Sequence, residues 1–226
     1  MQEAKEKTDA VIAATKALKA AMMKHLFTYG PVRLEDAERV TLKDTDIGCY
    51  PERWREGRFD EFILLQRGYD ITKDEQHDGI VPVVSSSGIK SFHNESRANG
   101  PGVVIGRKGT LGKVFYVDCP YWPHDTSLWV KDFKGNNPKF VYYLLTTLNL
   151  KSLDTGTSNP TLNRNYVHAL KIAMPNIEDQ KIIVEILSSI DKKTATEQSR
   201  KEALEILFAS LLHDLMTVKI RVKNIA

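Results

Sequence analysis

Near its C-terminal end the sequence has a long stretch, residues 176–216, that contains neither proline nor glycine. Within it, Ile183, Ile186 and Ile190 recur at spacings of three and four, which is the pattern of one face of a helix. Asn176 is a suitable N-cap, because its side chain can accept a hydrogen bond from the backbone N–H groups of the first turn. Forty residues of helix span about 60 Å, twice the diameter of a small domain. A helix this long needs a partner helix to cover its apolar stripe.

A second helical pattern lies at the other end of the chain. Residues 8–28 are rich in Ala, Lys, Met and Leu, and they stop at a Gly-Pro pair. At one constant offset, Leu18 aligns with Leu207 and Leu26 aligns with Leu215. Two helices of this composition can align by chance, but the match favours an imperfect repeat of one helix end, placed before and after a globular segment.

The composition is that of one domain with additional helices. The 226 residues are 42% hydrophobic and 27% charged, and the net charge of +3 is only weak support for a polyanionic partner. No apolar run has the length of a membrane span, and the first residues do not form a signal peptide. Cys49 and Cys119 have no His or Cys at metal-ligand spacing. We therefore expect a reduced, cytoplasmic protein.

Between the two helices, short apolar runs alternate with glycine turns, which predicts an α+β domain with a curved, mostly antiparallel sheet. The predicted organisation is a truncated N-terminal coiled-coil helix at 1–30, a globular domain at 31–175 and a long coiled-coil helix at 176–226. The predicted elements of the domain are a short helix and a loop over 32–49, a helix opening at Asn137-Pro138, and strands at 80–84, 103–106, 112–117, 126–130 and 167–173.

The glycine-rich stretch 100–113 does not fit a nucleotide-binding phosphate loop. Such a loop needs a glycine where this sequence has Arg107, and a Ser or Thr where it has Val114. The stretch instead predicts a hairpin whose glycines permit tight turns, with Arg107 and Lys108 facing water or an anion. An autonomous nucleotide-dependent enzyme would need the phosphate loop that this sequence does not supply.

Other catalytic patterns also fail. The tetrad at 159–162 is similar to a methyltransferase motif, but Leu162 cannot stack on a flipped base. The six histidines do not pair at metal spacing, and the His124–Ser127 cluster is interpreted as the hydrogen-bonded start of a strand. No catalytic residue and no metal ligand is predicted.

Three polar loops remain as a candidate binding surface. Each loop residue is individually compatible with ordinary solvation, yet Arg and Asn side chains can read base edges, and Lys, Ser and Thr can hold phosphates. The candidate DNA-binding residues are Ser86, Lys90, Asn94, Arg97, Arg107, Lys108, Asn159, Asn163 and Arg164.

The ordered set of motifs in this chain resembles one known family. The motifs are residues 67–71 (RGYDI), 82–88 (PVVSSSG), 100–112 (GPGVVIGRKGTLG) and 126–130 (TSLWV), followed by 156–163, Met174-Pro175 and Gln180. In this order they are similar to a target recognition domain of the DNA specificity subunits of type I restriction–modification systems. The resemblance extends over essentially the whole chain.

The resemblance implies a division of labour. A complete specificity subunit has two recognition domains, each followed by a long helix, and the two helices pack antiparallel as a spacer between the halves of a split DNA target. Methyltransferase subunits carry S-adenosylmethionine, and a separate restriction subunit cleaves, so this chain is expected to be non-catalytic and to hold no cofactor. Since it has one recognition domain, it is expected to be a half-subunit, either a natural short product or a fragment.

A half-subunit predicts a two-fold homodimer that restores the missing half and reads a palindromic split site. The residues expected to form the dimer and spacer are Leu18, Met22, Ile186, Ile190, Leu204, Leu207, Leu211 and Leu215. Arg107 and Lys108 belong to a shared motif and are expected to shape the loop or hold phosphate. Base choice is expected to rest on Ser86, Lys90, Asn94, Arg97, Asn159 and Arg164. The alternative function is a helical protein–protein adaptor without DNA binding of its own.

Overall fold

The computed structural model describes residues 2–45, 48–154, 156 and 160–217. Its helices are α1 (Gln2–Tyr29), α2 (Phe59–Phe62), α3 (Pro138–Thr147), α4 (Arg164–Ala169) and α5 (Ile177–Met216), with 3-10 helices at Leu34–Arg39 and Leu150–Leu153. Its strands are β1 (Leu42–Thr45), β2 (Gly48–Pro51), β3 (Arg55–Arg58), β4 (Leu64–Arg67), β5 (Val81–Ser85), β6 (Gly88–His93), β7 (Gly102–Gly106), β8 (Val114–Val117), β9 (Trp122–Pro123), β10 (Ser127–Asp132) and β11 (Lys171–Met174). The chain divides into a helical unit, residues 1–25 with 185–226, and a globular unit, residues 26–184.

The helical unit is an antiparallel pair formed by α1 and α5. Three ion pairs cross between the helices: Lys5 with Glu205 at 2.8 Å, Asp9 with Lys201 at 2.7 Å, and Lys19 with Asp191 at 2.6 Å. The residue numbers of these pairs increase along α1 and decrease along α5, which defines an antiparallel register. The residues buried in this unit are Thr8, Ile12, His25, Leu187, Ile190 and Glu197. The expected pairing of the two long helices is confirmed.

Several of the residues expected to form the dimer remain exposed in the single chain. Leu18 is 49% exposed, and Leu207 and Leu215 are 49% and 43% exposed. Met22, Ile186, Leu204 and Leu211 are half-buried, whereas Ile190 is buried. By the register of the ion pairs, Leu211 and Leu215 extend past Gln2, the first described residue of α1. The far end of α5 therefore carries an apolar stripe that the described part of α1 leaves uncovered.

The start of α5 is anchored in the globular unit. Asn176 accepts a hydrogen bond from the backbone N–H of Asp179 at 2.8 Å, which confirms the predicted N-cap. The amide oxygen of Gln180 accepts from the backbone of Asn137, and its amide nitrogen donates to Asn136 and to the carbonyl of Pro175. Because Gln180 is buried, these bonds satisfy polar atoms that would otherwise be costly in the interior.

The strands described in the globular unit form four small sheets. The largest is entirely antiparallel and has the order β4-β10-β7-β8. The second has the order β6-β5-β9, in which β5 is antiparallel to β6 and parallel to β9. The remaining two are the antiparallel pairs β1-β2 and β3-β11. The α+β class with mostly antiparallel strands is confirmed, with the strands distributed over several sheets instead of one.

The core of the globular unit lies between these sheets and α3. Tyr121 and Phe140 are fully buried, and Phe140 stacks on Phe27 from the last turn of α1 with ring centroids 5.6 Å apart. None of the helices in the described chain is long and apolar enough to cross a membrane.

Two predictions for the globular unit are wrong. Residues 32–49 are predicted to form a helix and a loop, but only Leu34–Arg39 is helical, and β1 and β2 form a hairpin after it. Residues 167–173 are predicted to form one strand, but their first part belongs to α4. The side chain of Asn163 accepts from the backbone N–H of Asn165 at 2.9 Å, and this cap starts a short helix before β11 begins.

Candidate nucleic-acid interface

Four basic side chains meet at one edge of the largest sheet. Arg67 ends β4, Arg107 and Lys108 follow β7, and Arg164 opens α4. Strand pairing explains why they meet, since β4 and β7 flank β10 and both run antiparallel to it. These four residues are called the basic cluster below. A pocket of about 340 Å³ lies among them, lined by Arg67, Arg107, Leu128, Thr161, Asn163 and Arg164.

The loop that carries Arg107 and Lys108 is fixed by its backbone. The N–H groups of both residues donate to the carbonyl of Thr126, at 2.9 and 3.0 Å. The carbonyl of Arg107 accepts from the backbone of Leu162 at 2.8 Å, and Lys108 forms an isolated bridge with Thr161. These bonds join the glycine-rich loop to the segment before α4. Two of the three loops proposed from the sequence therefore form one surface.

Among the described residues, Asp125 is the acidic residue that contacts the basic cluster. Its Oδ2 lies 3.0 Å from a guanidinium nitrogen of Arg67 and 3.9 Å from the ammonium of Lys108. Its backbone carbonyl accepts from the guanidinium of Arg107 at 3.3 Å, and its Oδ1 lies 3.1 Å from Nδ1 of His124. The cluster thus combines four cations with one carboxylate that touches two of them.

Burial is the main electrostatic perturbation of Arg107. It lowers the pKa of the guanidinium from its ordinary value, and the positive charge of Arg67 lowers it further, while Asp125 opposes both. Partial burial and a neighbouring positive charge both disfavour the charged form of a guanidinium. An arginine remains charged under such conditions, so the pocket attracts anions.

Asp70, His124 and Asp125 place possible ligand atoms within 4.8 Å of one another. Both carboxylate oxygens of Asp125 already have a nitrogen neighbour, in Arg67 and in His124. Nδ1 of His124 also lies 2.9 Å from Oγ1 of Thr126. A cation placed here would have to displace these contacts, so we assign no metal to the group. Ser127 donates to the carbonyl of His124 at 2.7 Å, which confirms the predicted hydrogen-bonded start of β10.

The structure divides the candidate DNA-binding residues into groups. Arg107, Asn163 and Arg164 line the pocket, and Lys108 is connected to the cluster through its contact with Asp125. Ser86 lies nearby, because its N–H donates to Oγ1 of Thr126 at 3.3 Å. Lys90 lies exposed on β6, and Asn94 lies in the exposed loop after it. Asn159 lies outside the described residues.

Arg97 belongs to a separate pocket. Its guanidinium lies 4.9 Å from the centroid of Trp122 and 6.0 Å from that of Tyr69, and the pocket also includes His77 and His93. Stacking over aromatic faces restrains the guanidinium and leaves its edges to form hydrogen bonds. Arg97 therefore does not join the basic cluster, although it remains accessible on the same unit.

Arg67 and Asp125 are not among the residues selected from the sequence. Arg67 begins the RGYDI motif and Asp125 directly precedes the TSLWV motif, but no local pattern shows that the end of β4 lies next to the loop after β7. Strand order carries that information, with Leu128 of β10 opposite both Arg67 and Ile105.

Two features define a class of protein: an α+β domain with a cationic surface pocket, and a pair of long antiparallel helices. The family model for the type I restriction modification DNA specificity domain matches residues 51–206, more than half of the sequence. The chain belongs to this family.

Individual relatives agree with this assignment. The chain is 27% identical over 236 aligned positions to the type I restriction enzyme MjaVIII specificity subunit of Methanocaldococcus jannaschii, covering 92% of this chain and 54% of that protein. It is 28% identical over 135 positions to the EcoprrI specificity subunit of Escherichia coli, covering 58% of this chain and 34% of that protein. The chain spans about half the length of the first of these relatives, and a smaller share of the second.

Solved structures show the same fold. The S subunit of a type I restriction–modification system from M. genitalium superimposes with a TM-score of 0.70 at 18% identity, covering 93% of this chain and 56% of that one. The HsdS subunit of Thermoanaerobacter tengcongensis gives a TM-score of 0.60 at 14% identity, covering 94% and 53%. At these identities the likeness concerns the fold alone.

Proposed function

We propose that this chain reads DNA sequence for a type I restriction–modification enzyme and directs methyltransferase and restriction subunits to a split target. The observation that carries the proposal is the basic cluster, which brings Arg67, Arg107, Lys108 and Arg164 to one accessible edge of the domain. Grouped guanidinium and ammonium donors suit the phosphates of a duplex, and Asn163 and Ser86 beside them suit base edges. Family membership supports the same function.

The chain would act as a non-catalytic subunit in the cytoplasm. S-adenosylmethionine would be bound by the methyltransferase subunits, which would modify adenine, and a separate subunit would cleave. Residues 31–175 would be the target recognition domain, and the flanking helices, 1–30 and 176–226, would set the distance between two such domains. Among the residues outside the basic cluster, Lys90, Asn94 and Arg97 would contact DNA only if the duplex also reached the region around β6.

Selection from a random duplex pool tests the function. The chain, assembled with its methyltransferase subunits, should enrich one motif made of two specific half-sites separated by a nonspecific spacer of fixed length. The methyltransferase subunits alone provide the control. A pool that shows no enrichment above this control, or that enriches one continuous motif, would contradict the proposal.

We also propose that two copies associate through the uncovered stripe at the end of α5. Leu207 and Leu215 are exposed there, and α1 carries a second exposed stripe with Val11 and Leu18. Two apolar stripes on one chain can cover each other in a two-fold pair, because each copy contributes both. Such a pair would present two recognition domains to a palindromic split site.

Sedimentation tests the association. The chain should sediment as a dimer at about tens of micromolar, a concentration at which micromolar affinities are populated. Replacing Leu207 and Leu215 with Lys should give monomers, while Leu34→Lys, an exposed leucine of the globular unit, should leave the dimer intact. A monomeric wild-type chain, or a double variant that still dimerises, would count against the interface.

A further inference from the structure

The position of Asp125 is unusual for a surface that binds a polyanion. Its carboxylate contacts Arg67 at 3.0 Å and Lys108 at 3.9 Å, and its side chain is only 14% exposed, against 53% for Arg67 and 47% for Lys108. The carboxylate is therefore more buried than the two cations that it contacts. A phosphate approaching from solvent would compete with it for the same donors.

Backbone hydrogen bonds that do not involve this carboxylate hold the loop. The backbone of Arg107 and Lys108 is held by the carbonyl of Thr126, and the carbonyl of Arg107 is held by Leu162. The start of β10 is held by the hydrogen bonds of Ser127 to His124. The carboxylate adds no bond to these backbone groups, and its own contacts are with the charged side chains of Arg67 and Lys108 and with Nδ1 of His124.

We propose that the carboxylate of Asp125 is an internal competitor of the DNA phosphate for Arg67 and Lys108. This competition lowers the affinity of a single recognition domain for the duplex backbone. The inference rests on the proposed function and goes beyond it by assigning a negative role to a residue in the binding surface. Arg67 and Lys108 would exchange the carboxylate for a phosphate oxygen when DNA binds, and the like charges of carboxylate and phosphate would oppose that exchange.

Stable DNA binding would then depend on contact with both half-sites. When two linked domains bind together, the second binding event is intramolecular, and the overall affinity reflects the product of both contacts. A competitor in each domain therefore weakens a two-domain complex as well, but it makes one isolated contact too weak to persist. Contacts with the DNA backbone carry no sequence information, so weakening them reduces binding to duplexes that lack the target sequence.

The test compares Asp125→Asn with a matched control, Asp36→Asn. Asp36 pairs with Arg39 at 2.9 Å in the Leu34–Arg39 helix, which contributes no residue to the basic cluster. Both substitutions remove one negative charge and release an arginine, and Asp125→Asn also removes a carboxylate contact with Lys108 and His124. Thermal unfolding establishes that each variant is folded, and Asp125→Ser supplies a second neutral variant if the Asn variant does not fold.

Two measurements are made on the purified chain. On a heparin column, Asp125→Asn should elute at higher salt than both the wild type and Asp36→Asn. With a random-sequence duplex at low salt, it should bind about 3-fold tighter or more, and the slope of log affinity against log salt should steepen by about 0.9 for each additional phosphate that the variant binds. Asp125→Glu keeps the charge and should behave as the wild type.

The outcomes separate the competitor role from DNA binding itself. Later elution from heparin, without duplex binding by any variant, would support the competitor and contradict DNA binding by the chain alone. Duplex binding by the wild type, with Asp125→Asn unchanged or weaker in both measurements, would overturn the competitor and leave the proposed function standing. An equal shift for Asp36→Asn would also overturn it, because the effect would then follow net charge.

Discussion

Removing two exposed cations of the basic cluster should make DNA binding less sensitive to salt. Lys108 and Arg164 are suitable because both are exposed, and their backbones are held by neighbours that the substitution leaves in place. Replacing both with Ala should therefore change the free energy of unfolding by no more than about 0.5 kcal/mol each. Any loss of affinity can then be assigned to the interface.

The magnitude follows from counterion release. Each phosphate contact contributes about −0.9 to the slope of log affinity against log salt, so the loss of two contacts makes the slope shallower by about 1.8. Between about 50 and 200 mM salt, each contact changes the affinity about 3.5-fold, and two contacts change it about 12-fold. Over this salt range, the affinity of the double variant should therefore fall about 12-fold less than that of the wild type, and this difference should be the same for every duplex sequence.

Fluorescence anisotropy of a labelled duplex, with the methyltransferase subunits present, measures this slope across a salt series. The control is Lys16→Ala combined with Lys192→Ala, which removes two exposed charges from the helical unit. The control should retain the wild-type slope. If the cluster variant keeps the wild-type slope, or if the control changes it equally, the assignment of phosphate contacts to the basic cluster is wrong.

Three further predictions concern stability. Asn176→Ala should lower the free energy of unfolding by about 1 kcal/mol, because it removes the cap of α5; equal urea midpoints for the two proteins would contradict this. Leu187→Ala should cost about 2–5 kcal/mol, because Leu187 is fully buried, and a cost within measurement error would refute the packing of the helical unit. Burial lowers the pKa of His168, whose Nε2 accepts from the backbone of Leu65. The contribution of neutral His168 to the free energy of unfolding should be complete above the unfolded pKa of about 6.5 and should decline as the pH falls toward the lower folded pKa. In urea titrations, His168→Gln should remove that decline.

Helices with strong local signals could be predicted from the sequence. The cap at Asn176, the uninterrupted apolar periodicity and the absence of Gly and Pro together define α5, and the structure agrees to within one residue at its start. The β7-β8 hairpin could also be predicted from the sequence, because the tight connection between its strands requires glycines. Gly109 and Gly112 in this connection adopt positive φ values. In each case the determining interactions lie within a few residues of one another.

Elements determined by distant contacts could not be predicted in the same way. Val167 lies in an apolar run that fits a strand, but the cap at Asn163 makes it part of α4. For a similar reason, only part of the basic cluster could be predicted from the sequence. Arg107 and Lys108 stand out in a glycine-rich loop, whereas Arg67 becomes their neighbour only because β4 and β7 both pair with β10. Local sequence does not contain that strand order.

The most direct test of the central claim is to map the adenines methylated by the reconstituted complex of this chain, its methyltransferase subunits and S-adenosylmethionine. Methylation should appear at one split motif, with inverted half-sites at a fixed spacing, and only when this chain is present. Methylation that is absent, or that is scattered over unrelated sequences with and without the chain, would contradict the claim that this domain selects the DNA target.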